Sequence, residues 1–216
     1  MMKGVARSRP LKQYQSKRNF DLTAEPQGSQ PERTRARKPL LYVIQKHQAS
    51  HLHYDFRLEW AGVLLSWAVP KGPSPDPSVK RLATPVEDHP IEYGDFEGVI
   101  PEGEYGGGTV MLWDQGTWTP EDPDVDAALR QGELKFTLAG KKLKGSWVLV
   151  RTALARAKKP QWLLIKHRDR YASTRDILVE KPRSVATNRL LAGIARDGHG
   201  DVAKAAKGDS PGSPSR

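Results

Sequence analysis

The sequence contains no cysteine, which excludes disulfides and thiolate metal sites alike. Any bound metal must use His, Asp, Glu and water, a donor set suited to Mn, Fe, Zn or Mg. Long apolar runs are also missing. The longest, around "GVLLSWAV", is far short of the ~20 residues needed to span a bilayer. The opening "MMKGVARSRPLKQYQ" lacks the apolar core of a signal peptide. A soluble intracellular protein with no membrane partner is therefore expected. The glycine-rich "EGEYGGGT" lacks the Lys-Ser/Thr and following helix of a phosphate-binding loop, so it reads as a hairpin or bulge. No internal repeat is visible.

The 216 residues carry 35 Lys/Arg against 25 Asp/Glu, a net charge of +10. Residues 1–40 hold ten cations and three acids, and residues 182–216 hold six and three. The remainder, 41–181, has nineteen of each. All of the excess lies in the two ends, which are poor in large apolar residues and read as flexible basic arms, 1–38 and 182–216. Basic arms on a neutral body suggest a polyanionic partner, most simply nucleic acid.

Between the arms, in 39–181, alternation with period two dominates. "LLYVIQKH", "LHYDFRLEW", "GVLLSWAV", "GTVMLWDQGTW", "GELKFTLAG", "GSWVLVRT" and "QWLLIKHRD" all read as strands. "VDAALRQG", ending at Gly132, reads as a short helix. "PKGPSPDPSVKR" has four prolines in twelve residues and reads as a stiff loop. Many short strands at intervals of about ten residues imply a mainly β protein, a small antiparallel barrel or sandwich with few short helices.

Three of the six histidines fall within "HQASHLHYDFRLEW", residues 47–60. In a strand, His53, Asp55, Arg57 and Glu59 share one face, and Leu52, Tyr54, Phe56, Leu58 and Trp60 share the other, which is read as the buried one. His53 and Asp55, two residues apart, can converge on one metal ion, with His47 as a third ligand. Two histidines and a carboxylate with open positions describe a catalytic rather than a structural centre. His51 is read as a bystander. Arg57 lies where an anion on that metal would be, and Lys71, Lys80 and Arg81 could complete a cationic surround. "PVEDHPIEY" adds Glu87, Asp88, His89 and Tyr93.

These residues leave three readings open. One is metal-assisted phosphoester hydrolysis. Another is an Fe(II) oxygenase whose triad takes His167 as its distant histidine. A third is a non-catalytic barrel that binds single strands or DNA ends through its tryptophans. Arg57, Lys71 and Arg81 favour the first, because a phosphate dianion needs charge neutralisation.

"VIQKHQASHLHYDFRLEWAGVLLSWAVPKGPS", "KRLATPVEDHPIEYGDFEGVIPEGEYGGGTVMLWDQGTW" and "WLLIKHRD" closely resemble the 3′-phosphoesterase domain of bacterial DNA ligase D, from about Tyr14 to Asp169. The resemblance implies a small β-barrel with its active site on an open surface. It also implies a manganese-dependent enzyme, with other divalent transition metals as alternatives. That enzyme would heal DNA 3′ ends by removing a terminal ribonucleoside and then the 3′-phosphate, to leave a 3′-hydroxyl for ligation. Metal ligands fall on His47, His53 and Asp55, and phosphate-contacting and catalytic positions on Arg57, Lys71, Arg81, His89 and Tyr93. Glu87 is associated with the ribonuclease step. "YQSKRNFDLTAEP" resembles the stretch that lies over the active site, with Arg18 and Glu25 at functional positions. Asn19 and Gln48 stand where Asp is usual, and His51 where Arg is frequent. His89 is expected to touch the phosphate, or to protonate the leaving 3′-oxygen if cationic. Implied partners are DNA ends bearing a 3′-phosphate or 3′-ribonucleotide, an end-joining ligase and end-binding proteins, in a prokaryotic, nucleoid-associated cytoplasmic setting. The chain reads as a free-standing member.

Overall fold

The computed structural model describes residues 10–28, 39–152 and 160–209. Nine strands run in chain order as β1 (Leu40–Gln48), β2 (Leu52–Trp60), β3 (Val63–Val69), β4 (Lys80–Pro85), β5 (Gly98–Ile100), β6 (Gly108–Pro120), β7 (Glu133–Gly140), β8 (Lys144–Thr152) and β9 (Gln161–Lys166). All pairings are antiparallel, in the order β1-β2-β3-β4-β9-β8-β7-β6. A β1–β6 ladder closes the ring into an eight-stranded barrel. Short β5 adds to β6 outside it. Closure leaves none of those eight strands with an unpaired edge along its whole length, which is what an all-β chain of this size needs.

The seven strands read from alternation are all present, and β2 has the expected bounds. The Pro-rich stretch connects β3 to β4 as a loop. The helix α2 (Val125–Gln131) is capped by the Asp124 side chain, which accepts from the Ala127 amide, and stops at Gly132, whose φ is 92°. β4, "KRLATP", is the strand that alternation misses: Leu82 is exposed and Arg81 takes the position a core residue would mark.

Inward-facing Tyr42, Ile44, Phe56, Leu58, Trp67, Met111, Trp113, Phe136, Trp147 and Leu149 fill the barrel. A second, smaller apolar cluster lies on the opposite face of β1–β3: Tyr14, Leu64, Tyr93, Phe96, Ile100 and Val110. It assembles because a 3-10 turn (Ile91–Asp95) and the short helix α1 (Lys12–Gln15) fold over that face. Thus β2 is covered on both sides.

This corrects two expectations and extends a third. The His53–Arg57 face is not an open surface, since Asp55 is 7% and Arg57 2% exposed. Within the expected N-terminal arm, the stretch 14–26, which by resemblance lies over the site, is packed together with its flanks as residues 10–28, with Tyr14 fully buried; residues 1–9 and 29–38 lie outside the described residues. The expected C-terminal tail is likewise packed up to residue 209. After α3 (Ile177–Glu180) come α4 (Leu191–Asp197) and α5 (Val202–Asp209). Leu191, Ile194, Ala195 and Ala205 are buried in the main core. Asp209 accepts from the Leu191 and Ala192 amides, and Glu97 accepts from Ser184 and Thr187. The low apolar content of 182–209 hid this, because a few well-placed aliphatic residues suffice when a barrel already supplies the opposing surface.

Candidate metal centre

The β1–β2 register sets His47 directly opposite His53 and Gln45 opposite Asp55, and the β2–β3 register sets Arg57 opposite Ser66. All six therefore share one patch on the face away from the barrel core. His47, His53 and Asp55 each offer a ligand atom within 4.8 Å of the others. His47 Nδ1 lies 3.8 Å from one Asp55 oxygen, and His53 Nε2 lies 3.6 Å from the other.

Backbone carbonyls orient both rings. His47 Nε2–H donates to the Gly106 carbonyl at 2.8 Å, and His53 Nδ1–H donates to the His51 carbonyl at 3.0 Å. Each bond fixes the tautomer whose other nitrogen points its lone pair at the Asp55 side. Burial pushes the His53 pKa down, against the pull of Asp55, so the neutral, ligating form prevails. Burial would raise Asp55, but Arg57 and the two imidazoles hold its carboxyl well below the usual carboxylate range. Two imidazole nitrogens and an ionised carboxylate fit a divalent hard or borderline metal.

Arg57 is fixed by three hydrogen bonds and one close approach. Nε donates to Gln45 Oε1 (2.8 Å), Nη1 donates to Ser66 Oγ (2.8 Å) and faces His89 Nδ1 (2.9 Å), and Nη2 donates to Asp55 (3.1 Å). Four of its five N–H groups point at these neighbours, so in this state it does not offer the two-pronged phosphate clamp that its position in the strand suggests. Its guanidinium also sits 4.9 Å from the Tyr93 ring.

His89 Nδ1–H donates to the Glu87 carbonyl at 2.9 Å, which leaves Nε2 to accept from Arg18 Nη2 at 3.3 Å, while Arg57 Nη1 faces Nδ1. Burial, then Arg57 and Arg18, hold its pKa well below the ordinary imidazole value. A neutral ring has one acceptor nitrogen for two guanidiniums. The cationic, proton-donating form expected as one option is therefore disfavoured, because it would add a third charge to two already facing it.

The N-terminal segment roofs this patch. Arg18 stacks 3.9 Å from the Tyr14 ring and pairs with Glu25 (2.9 Å) and Glu87 (3.3 Å). Lys17 pairs with Glu87 at 3.0 Å and lies over Tyr105. Burial opposes ionisation of Glu87, but a backbone hydrogen bond, Lys17 and Arg18 outweigh it and its pKa falls. Tyr93 is buried, with its ring 4.7 Å from His89.

The structure thus brings together His47, His53, Asp55, Arg57, Glu87, His89, Tyr93, Arg18 and Glu25. Residues 45–151 match the DNA Ligase D 3'-phosphoesterase domain. The chain belongs to that family. It is 54% identical over 187 residues to the "Multifunctional non-homologous end joining protein LigD" of Pseudomonas aeruginosa, a match covering 85% of this chain and 22% of the relative. It is 50% identical over 111 residues to the "Multifunctional non-homologous end joining DNA repair protein LigD" of Mycobacterium tuberculosis, covering 51% of this chain and 14% of the relative. A Mycolicibacterium smegmatis relative of the same kind is 40% identical over 164 residues, covering 74% and 21%. The chain therefore matches about a fifth or less of the length of each of these relatives.

Other residues of this phosphoesterase chain fall outside the patch. Lys71 is exposed on the loop after β3. Arg81 shares a strand face with Ala83, which packs in the barrel core, and the Arg81 Nε is buried without a hydrogen-bond partner. Among the described residues, neither makes a hydrogen bond or ion pair with the triad. His167, the third ligand of the oxygenase reading, bonds to Ser146 at 2.8 Å and is not in the triad cluster. Gln48 is on the opposite face of β1 from His47, where it packs against Gly208 of α5, and the Asn19 side chain accepts from the Asp21 amide. Gln45, Ser66, Lys17 and Tyr105 were not legible as site residues. For Gln45 the signal was its parity with His47 on one strand, masked by the apolar run around it. No helix among the described residues is long and apolar enough to cross a membrane.

Proposed function

We propose that the chain is a metal-dependent phosphoesterase that heals DNA 3′ ends in break repair, removing a 3′-phosphate and a 3′-terminal ribonucleoside to leave a ligatable 3′-hydroxyl. The observation that carries the reading is the convergence of two pre-oriented imidazoles and an ionised carboxylate beside a buried guanidinium, within a phosphoesterase-family domain. Manganese is the metal proposed, held by His47, His53 and Asp55. When bound, it supplies Lewis acidity toward a phosphate oxygen.

Charge balance supports a phosphate substrate. Lys17, Arg18 and Arg57 offset Glu25, Asp55 and Glu87 in the patch. A divalent ion would leave an excess of two positive charges, which a phosphate monoester dianion would neutralise. An anion would also relieve the guanidinium left facing a ring N–H of His89. In this reading Arg57 and Arg18 orient His89, and His89 hydrogen-bonds a phosphate oxygen rather than donating a proton as an imidazolium. Tyr93 closes the apolar wall behind it. Glu87 and Glu25 hold Arg18 and Lys17 over the substrate's terminal sugar. Lys71 and Arg81 are assigned to the phosphate on the family resemblance, and their engagement requires the β3–β4 region to approach the bound end. The Ser66 hydroxyl donates to the Leu64 carbonyl and accepts from Arg57, and the His89 Nδ1 3.5 Å away carries the proton it gives to the Glu87 carbonyl, so no base activates the hydroxyl. This favours water as the attacking group.

Because Gln48 faces α5 rather than the triad, its departure from Asp does not remove a group from the patch. The ribonucleoside-removing step is therefore proposed alongside the phosphatase step. Incubation with Mn²⁺ and primer-templates ending in a 3′-phosphate or a single 3′-ribonucleotide tests both. Conversion of each to a 3′-hydroxyl end is expected. Failure on both substrates with every divalent metal tried would remove the catalytic reading.

A further inference from the structure

The neutrality of residues 41–181 conceals a segregation of charge. Two stretches, 141–144 and 166–181, hold eight Lys/Arg and three Asp/Glu, which leaves the rest of that body with eleven against sixteen. The fold places these stretches side by side. The β7–β8 turn and residues 171–181 border a cleft of about 310 Å³, lined among others by Lys142, Lys144, Tyr171, Arg175 and Lys181. An adjoining hollow shares Ser173 and Arg175 and adds Arg168, with Asp76 at its edge.

The walls are firmly built. Trp113 Nε1 donates to the Lys181 carbonyl at 2.8 Å, and Lys142 Nζ donates to the carbonyls of Lys181 (2.8 Å) and Arg183 (2.6 Å) while lying 4.3 Å from the Trp113 ring. The one acid in the cleft, Glu180, pairs with Arg175 at 3.5 Å. Among the described residues, none of Lys142, Lys144 and Lys181 has a carboxylate within ion-pair distance. Burial, followed by the neighbouring Lys46 and Lys181, lowers the Lys142 pKa to about 7 despite the pull of Asp114. Even with Lys142 partly neutral, Lys141, Lys144, Arg175 and Lys181 outnumber the single acid Glu180, so the cleft carries net positive charge. Beside it Tyr171 is 40% exposed, with the Arg170 guanidinium 4.8 Å from its ring. Unpaired cations next to an exposed aromatic face are the chemistry that binds a nucleic-acid strand.

The cleft is also continuous with the loop that leads from the metal centre. Gly72, next to Lys71, sits against Leu178 of α3 and Tyr54 of β2. Ile177, Glu180 and Lys181, from the same helix and its end, line the cleft.

We propose that this cleft and the adjoining hollow hold the phosphodiester backbone of the DNA whose 3′ end occupies the triad, a second contact that rests on the DNA-end reading above. The contact supplies affinity without touching the reacting phosphate. The test uses the full chain and a double variant, Lys144→Ala with Arg175→Ala, both surface positions away from the triad. Binding to a labelled duplex with a 3′-phosphate is followed by anisotropy across a salt series, and hydrolysis of p-nitrophenyl phosphate is followed in parallel.

If both residues contact phosphates, the slope of log K against log salt becomes shallower by about 1.8, and affinity at 0.15 M salt falls about 30-fold for an unchanged 1 M intercept. Turnover of the small ester should stay at the wild-type rate. An unchanged slope and affinity would overturn the proposal, as would weakened binding that inorganic phosphate at millimolar concentration abolishes equally in wild type and variant, which would mark a free-anion site. Loss of small-ester turnover in the variant would mark the cleft as structural and also overturn it. A wild type inert on every phosphoester would remove the catalytic reading while leaving the slope comparison intact.

Discussion

Replacing Arg57 by lysine keeps the charge and removes the fork, so it isolates what the guanidinium geometry contributes. Arg57 reaches Gln45 on β1, Asp55 on β2, Ser66 on β3 and His89, using three nitrogens that point in different directions. An ammonium is one nitrogen on a shorter reach, with three donors. Placed to keep Asp55, it cannot also keep both Gln45 Oε1 and Ser66 Oγ, so about two buried acceptors are left without a partner. At ~1–3 kcal/mol for each orphaned buried group, the expected destabilisation is about 2–6 kcal/mol. A domain with the usual ~5–15 kcal/mol survives this folded. Urea unfolding of the metal-free variant should show a lower midpoint at an unchanged m-value. Calorimetry should show metal affinity reduced about 10–100-fold, because an ammonium no longer anchored to Gln45 and Ser66 fixes the Asp55 carboxylate less firmly than the braced guanidinium does. A variant within about 0.5 kcal/mol of wild type, with unchanged metal affinity, would refute the view that Arg57 organises the patch.

Three further outcomes are expected. Asp55→Asn should fold, lose Mn²⁺-dependent turnover and show no tight Mn²⁺ binding by calorimetry; normal binding would move the metal elsewhere. Leu191→Ala should cost about 2–5 kcal/mol in thermal or urea unfolding, since its side chain is fully buried, and a negligible change would restore the picture of a loose C-terminal tail. Lys142 should be acylated ahead of other lysines at pH 7. With a pKa lowered to about 7, roughly half of it is neutral there, against well under 1% for an ordinary lysine near 10.4. Its labelling rate, followed by peptide mass spectrometry, should level off above about pH 8. A rate that keeps rising toward pH 10 would contradict the burial argument.

The barrel was legible because seven of its eight strands alternate cleanly, and alternation is what a closed sheet with one dry side writes into a chain. It failed at β4, where Arg81 occupies the inward position next to Ala83. The triad was legible from the spacing His53-x-Asp55 with His47 six residues earlier. Its depth was not, because burial of Asp55 and Arg57 depends on Tyr14, Tyr93 and Phe96, distant in the chain and brought in only by the fold. Composition misled twice at the termini: residues 10–28 and 182–209 look too polar to pack, yet Tyr14, Leu191 and Ile194 each find a surface already made. A neutral total over 41–181 likewise hid the basic cleft, since a sum carries no positions.

The two carbonyls that orient His47 and His53 belong to Gly106 and His51, and a carbonyl is present whatever side chain a residue carries. A scan that truncates side chains would pass over position 51 in silence, although the atom there selects a tautomer. Position 106 differs, because its φ of 82° strains any side chain, even though a Cβ there would meet its neighbours only at ordinary van der Waals distance. There a substitution would act by re-aiming the carbonyl, while the packing around it stayed as it is. Part of the instruction for metal binding is thus stored as the shape of two turns, where comparison of side chains alone does not look.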